Sequence, residues 1–324
     1  MSNFIALMAD VLVRATPLIM AGLAVAVAFQ AGVLNIGADG QLLAGATAAV
    51  IVGVKLGGVL GGGALPTALI AGALAGAGWA GIAAILRTRF RVLEVISTIM
   101  LNFVAAYGVS YLVRGPLQEP THVYPQTETI ASGAQLPRIL PGTRLHLGFI
   151  VVVGIAIVLW WVFRATAVGF RFRASGTNPF AARSAGMIDV TRVTTMAFLV
   201  SGALAGVAGA IEVCGVTFAL YENISPGYGY TAIAVALLAG LHPLGVVVTG
   251  IVFGALEVGA NALQRDANIP ATLAAVIEAV VILLVIAVSQ IRVWQQERGQ
   301  GHGGTTTPPI PIVSAPIAAP ETDE

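Results

Sequence analysis

Read from its first residues, the chain is a succession of apolar runs separated by short polar breaks. Apolar segments fall at 15–30, 42–56, 64–86, 92–113, 146–163, 193–219, 228–241, 243–263 and 271–291. Most approach the roughly 20 residues that an α-helix needs to cross the hydrocarbon of a bilayer. The run FIVVVGIAIVLWWVF (149–163) has no period-2 alternation, which argues against a transmembrane β-barrel. The pattern predicts an all-α, polytopic transmembrane helical bundle of about 8–10 membrane segments.

Two places break the rhythm. AGVLNIGADGQLLAG (31–45) interrupts its hydrophobicity with glycines, an Asn and an Asp, and reads as a broken helix. Segment 228–241 is too short for a straight crossing and reads as a half-helix, making 225–245 a second candidate break. Broken helices near the membrane midplane are common at transporter binding sites. Small residues recur throughout, as in GALAGAG (72–78) and GALAGVAGA (202–210); they let helix backbones approach closely where lipid provides no hydrophobic drive.

The expected organisation is an amphipathic lead-in over 1–14, a transmembrane domain over 15–291 and a disordered, Gly/Pro/Thr-rich cytoplasmic tail over 292–324. The N-terminus lacks a cleavable signal pattern and is expected to be retained. Two hydrophilic stretches lie inside the membrane domain. Residues 114–145 are Pro-rich, whereas 165–192 hold four arginines and one acid. With Arg164 and the Arg87, Arg89, Arg91 cluster, the arginines place 165–192 in the cytoplasm by the positive-inside rule and 114–145 outside. Four crossings after Arg192 return the tail to the cytoplasm. Before Arg87 the parity is open; re-entrance around 31–45, with the N-terminus inside, is the preferred reading.

Composition narrows the function. Only 10% of the residues are charged and the net charge is +1, so no nucleic-acid face is expected. One cysteine, Cys214, and four histidines argue against a metal site and an internal disulfide; Cys214 reads as a small buried hydrophobe. The chain has one lysine, Lys55, so a G-x-x-x-x-G-K-[ST] phosphate loop is impossible, and neither H-E-x-x-H nor G-x-S-x-G occurs. No cofactor is implied.

Polar groups at membrane depth supply the candidate chemistry, because each needs a partner or a wetted path. Asn35, Asp39 and Gln41 occupy the first break. Glu94, Ser97, Thr98 and Asn102 recur at three- and four-residue spacing, on one helical stripe. Glu212, Glu222, Asn223, Glu257, Asn261 and Glu278 follow, with no Lys or Arg between Arg192 and Arg265 to pair with the acids. Any one of these could be a cap or interhelical glue; together they favour a polar path, with Tyr107, Tyr228 and Tyr230 as aromatic lining. In the arginine-rich loop, Asn178 and Pro179 suit the cap and first turn of a short helix over 178–187. Its Phe180 and Met187 would anchor on a soluble partner, with Arg183 between them.

Four of these segments, GVLNIGADGQLLAG (32–45), EVISTIMLN (94–102), RASGTNPFAARSAGM (173–187) and GYGYTAIAVALLAGLHPLG (227–245), resemble in order the permease subunits of bacterial ABC importers that serve branched-chain amino acids, simple sugars and nucleosides. The Asn35–Gln41 and Glu94–Asn102 segments are most similar to the nucleoside-type branch. The resemblance implies a multi-pass subunit of the bacterial cytoplasmic (inner) membrane, surrounded by lipid. It would work beside a second homologous permease subunit, a cytoplasmic ATPase subunit that hydrolyses ATP on its behalf, and an extracytoplasmic solute-binding protein. It further implies Asn178, Ala182, Arg183 and Gly186, beside Pro179, as ATPase-coupling residues. Other expectations to separate are the same transporter class for a sugar, a riboflavin-like compound or an amino acid, and a proton-coupled carrier using Glu212, Glu257 or Glu278.

Overall fold

In a computed structural model of the chain, the described residues are 2–184 and 188–266, with 276, 279 and 280 beyond them, and side chains from residue 4 onward. Residues 1–282 cluster as one compact unit. Met187, Gly186 and Glu278, the 271–291 span for the most part, and the tail over 292–324 lie outside the described residues. The fold is all-α, and among the described residues six helices are long and apolar enough to cross a membrane.

The order is α1 (Ser2–Gln30), α2 (Ala38–Lys55), the single turn α3 (Gly57–Leu60), α4 (Ala64–Phe90), α5 (Glu94–Arg114), α6 (Gly148–Ala165), α7 (Ala167–Thr177), α8 (Pro179–Ser184), α9 (Val190–Glu212), α10 (Tyr228–Leu238) and α11 (Pro243–Asp266). Beside the six stand the 18-residue α2, with a polar first turn, and the shorter apolar α10 of 11 residues. Between residues 213 and 217, α9 passes into a π-helical turn.

Glycine sets the centre of the bundle. A methyl group at Gly206 would overlap the carbonyl of Gly72, one at Gly45 would overlap Gly206 itself, and one at Gly209 would overlap the carbonyl of Leu42. Gly76 and Gly202 meet in the same way. Helices α2, α4 and α9 therefore pack backbone to backbone, which is how small residues gain dispersion contact in lipid. Around this triad, α1 is enclosed by α9, α10 and α11. Its 18-residue apolar window is 89% buried.

Two ends of the bundle can be told apart. At the arginine end, one apolar cluster joins Val27, Ala28 and Val33 to Ala83 and Ala84 of α4, Phe163 of α6, Phe172 of α7 and Val193 of α9. At the loop end, segment 115–147 is stitched across the helices: Thr127 N–H donates to the Leu220 carbonyl, Ile130 N–H to that of Phe218 and Leu136 N–H to that of Cys214. Ala9 and Val13 of α1 pack with Leu145 at this same end.

Helix α1 thus begins at the loop end and runs unbroken to the arginine end, which makes the lead-in over 1–14 and the first span one helix. Helices α2 and α4 each traverse the bundle as well, since Gly53 meets Ile130, Gly61 meets Gly133, and Ala83 lies at the arginine end. This corrects the preferred reading of re-entrance around 31–45 with the N-terminus on the arginine side. The chain makes its turn at Gly32 (φ +73°) and starts a new helix at Ala38, so the break joins two full traverses. Charge patterning could not reveal this, because no basic residue flanks the turn.

Candidate functional site

The break between α1 and α2 is braced by side chains in addition to the backbone turns made by Ala31, Gly32, Val33 and Asn35. Asn35 and Gln41 exchange amide hydrogen bonds, each donating to the other at 3.0 Å, and Asn35 Nδ2 also donates to Ser201 Oγ of α9 at 2.9 Å. Asn35 Oδ1 accepts the Gly37 N–H at 3.0 Å. Both amides are sealed inside the bundle, with Asn35 0% and Gln41 1% exposed. The second contributor is Asn102 of α5. Its Oδ1 accepts the Gly40 N–H at 2.9 Å, while its Nδ2 donates to the Ile36 carbonyl at 3.0 Å and to the Tyr230 hydroxyl at 3.1 Å. One buried amide therefore closes both sides of the break and reaches α10, satisfying backbone groups that lipid cannot.

Asp39 occupies the first turn of α2, where an acid suits the positive end of the helix dipole. It accepts from Ser225 Oγ at 2.7 Å and from the Gly229 N–H at 3.1 Å, so the two predicted breaks meet there. Gly229 is required by this approach, because a Cβ would overlap the Asp39 backbone. Tyr230 is 43% exposed beside Asn102, whereas Tyr228 is buried and points elsewhere, its hydroxyl accepting from Arg14 at 3.0 Å. The structure thus separates the two tyrosines.

The stripe on α5 faces into the bundle: Glu94, Ser97, Thr98 and Asn102 are all buried. Glu94 pairs with Arg87 of α4, and Ser97 and Thr98 donate to its backbone carbonyl. The opposite face of α5 is bare, with Ile96, Met100, Phe103, Tyr107 and Tyr111 exposed at helical spacing. Acids without local partners find distant ones. Glu257 lies 3.2 Å from Arg14; Glu222 takes a two-pronged bond from Arg114 at 2.7 and 2.8 Å and a further one from Ser110. That arrangement holds the Glu222 carboxyl down at about 2, with Arg114 as the chief cause.

At the arginine end, Asn178 Oδ1 accepts the N–H groups of Phe180 and Ala181 at 3.1 and 3.0 Å, the expected cap of α8, and Pro179 opens the helix. Ala182 is buried, Phe180 and Arg183 are exposed, and Gly186 lies outside the described residues. One connection here has no motif to announce it. A Cβ at Gly176 of α7 would overlap the Gln30 carbonyl, and one at Gly32 would lie 3.0 Å from Gly176 Cα. The arginine loop is thereby pressed against the turn that precedes Asn35. Ser201, in an apolar run, and Ser225, in the connection before α10, carry no spacing signal that marks them from sequence.

The family described as the permease component of the branched-chain amino acid transport system matches residues 7–287. A glucose ABC transporter permease of Haloferax volcanii is 40% identical over 289 residues, covering 86% of this chain and 75% of that protein. A guanosine ABC transporter permease of Bacillus subtilis is 39% identical over 284 residues, covering 86% and 80% respectively. A nucleoside ABC transporter permease of Lactococcus lactis is 30% identical over 278 residues, covering 83% and 76%. No solved structure matches the chain. With six spans among the described residues, two facing breaks and this match over nearly the whole membrane domain, the chain belongs to the branched-chain amino acid transport system permease family, as a multi-pass permease subunit of the ABC-transporter class.

Proposed function

We propose that this subunit forms one wall of an import pathway for a nucleoside across the cytoplasmic membrane, with a second homologous permease supplying the opposite wall. The observation that carries this is the junction of Asp39, Asn102 and Tyr230: a carboxylate, an amide and a partly exposed phenol, joined where the two breaks meet. A nucleoside offers ring faces for aromatic contact and hydroxyls for the polar groups. Asn35, Gln41, Thr98 and Glu94, sealed in the bundle, shape this wall from behind. Relatives that carry guanosine or nucleosides by name support the cargo.

ATP is hydrolysed by a separate cytoplasmic ATPase subunit that engages α8 through Phe180 and Arg183, with the Asn178 cap and buried Ala182 fixing the helix. Its motion passes through Gly176 to the Gly32 turn and so to the Asn35 knot. On the loop end, segment 115–147 receives an extracytoplasmic solute-binding protein. The test is uptake of labelled guanosine by vesicles containing the assembled importer. ATP-dependent uptake, lost with Arg183→Glu and competed by other nucleosides, is expected; uptake that ignores ATP and collapses with the proton gradient would replace this reading with a proton-coupled carrier. A sugar cargo is the second reading, favoured by the Haloferax relative, and glucose competing better than guanosine would establish it.

A further inference from the structure

At the arginine end, an open cavity of about 550 Å³ lies between the last turn of α1, the α6–α7 elbow and the start of α11. Its walls include Phe29, Gln30, Trp160, Arg164, Arg173 and His242, and no acidic residue lines it. Arg164 stacks over the Trp160 ring at 5.6 Å. Among the described residues Arg164 and Arg173, like several other arginines of this end, have no ion-pair partner. The first turn of α11 adds the positive end of a 24-residue helix to the same wall.

Gln30 closes one side of the cavity: its Nε2 donates to the Leu241 carbonyl at 2.6 Å and ties the end of α1 to the turn before α11. Two guanidinium groups without a counter-ion ask for an anion. The cavity's aromatic walls end a membrane span, and α6 continues away from it with Ile157, Val158 and Trp161 exposed. Basic pockets between membrane helices commonly take phospholipid head groups.

We infer that the cavity binds the phosphate ester of an anionic glycerophospholipid, with Arg164 and Arg173 on the phosphate and the acyl chains along the outer face of α6. Phosphatidylglycerol carries the net negative charge that this asks for, and phosphatidylcholine carries none. The inference depends on the chain spanning a membrane and is independent of the cargo.

The full-length chain, purified from membranes with and without its partner subunits, would be exchanged into nanodiscs of phosphatidylglycerol mixed with phosphatidylcholine, and retained lipid counted by native mass spectrometry. The expected result is several-fold enrichment of phosphatidylglycerol, abolished in the Arg164→Gln/Arg173→Gln variant and unchanged in Arg192→Gln, whose arginine is already paired with Asp189. Equal loss in both variants, or none in either, overturns the proposal. So does binding of free glycerol 3-phosphate in place of lipid, which would assign a soluble ligand, or enrichment seen only in the absence of the ATPase subunit, which would make the cavity that subunit's seat. Should the double variant fail to fold, arginine-specific dicarbonyl labelling of the native chain decides. Arg173 should react several-fold more slowly in phosphatidylglycerol than in phosphatidylcholine, and equal rates overturn the assignment.

Discussion

Helices α9 and α5 are similar in length, at 23 and 21 residues, and both are apolar enough to span a membrane. Yet 72% of the apolar window of 190–217 is buried inside the chain, against 28% of that of 94–114. Hydrophobicity does not separate them, because lipid is as apolar as a protein interior and gives no reward for burying a leucine. Side-chain size does. Gly202, Gly206 and Gly209 let α9 be gripped by α2 and α4, while the Met, Phe and Tyr residues of α5 face away and its inward positions are polar in the first half, from Glu94 to Asn102, and small or β-branched in the second, at Ala105, Val109 and Val113. In this bundle glycine marks the centre and polar groups mark the seams.

The contrast can be broken most forcefully in α9. Gly206→Leu would drive a side chain into the Gly72 carbonyl and should cost about 3 kcal/mol or more, the upper range for overpacking. Loss of monodisperse protein on gel filtration would report it. On the inward face of α5, Asn102→Leu strands the Gly40 N–H and the Ile36 carbonyl, at about 1–3 kcal/mol for each buried orphan. A lower unfolding temperature together with lost nucleoside uptake is expected; normal uptake at normal membrane levels would remove Asn102 from the pathway. On the outward face, Phe103→Ala should leave the stability of the isolated chain within about 0.5 kcal/mol. It should nevertheless weaken co-purification of the second permease.

The smallest effect is expected where α5 meets the loop that leads to α10. Because the Glu222 carboxyl is depressed from 4.5 to about 2, its tie to Arg114 is fully present above the ordinary carboxylate value. The tie is lost only as pH falls through the low one. Protease sensitivity of residues 218–227 should therefore be flat from pH 8 to 5, rise below about 4.5, and in Glu222→Gln be raised at every pH.

Much of this was legible in the chain. The spans, the two breaks, the Asn178 cap and the inward stripe from Glu94 to Asn102 follow from runs of apolar residues and from helical spacing, which are local properties. Three things were not. The partners of Glu222 and Glu257 are Arg114 and Arg14, 108 and 243 positions away in the sequence as counted from 222 − 114 and 257 − 14, and no spacing rule reaches so far. Tyr228 and Tyr230 look alike in sequence but are turned to opposite surroundings by the pitch of α10. The sense in which α1 crosses was decided by packing against Leu145 and Gly176, which loop charges do not encode.

Composition and periodicity by themselves determined that this chain lives in lipid, as a helical bundle with polar interruptions and no means of hydrolysing ATP through a phosphate loop. Tertiary structure decided which interruptions are sealed and which are open, because a buried amide becomes a seam or a surface according to the helix that covers it. Asn35, covered by α9, joins the bundle from within. Asn102, buried as well, is linked through its bond to the partly exposed Tyr230 to the surface of the bundle.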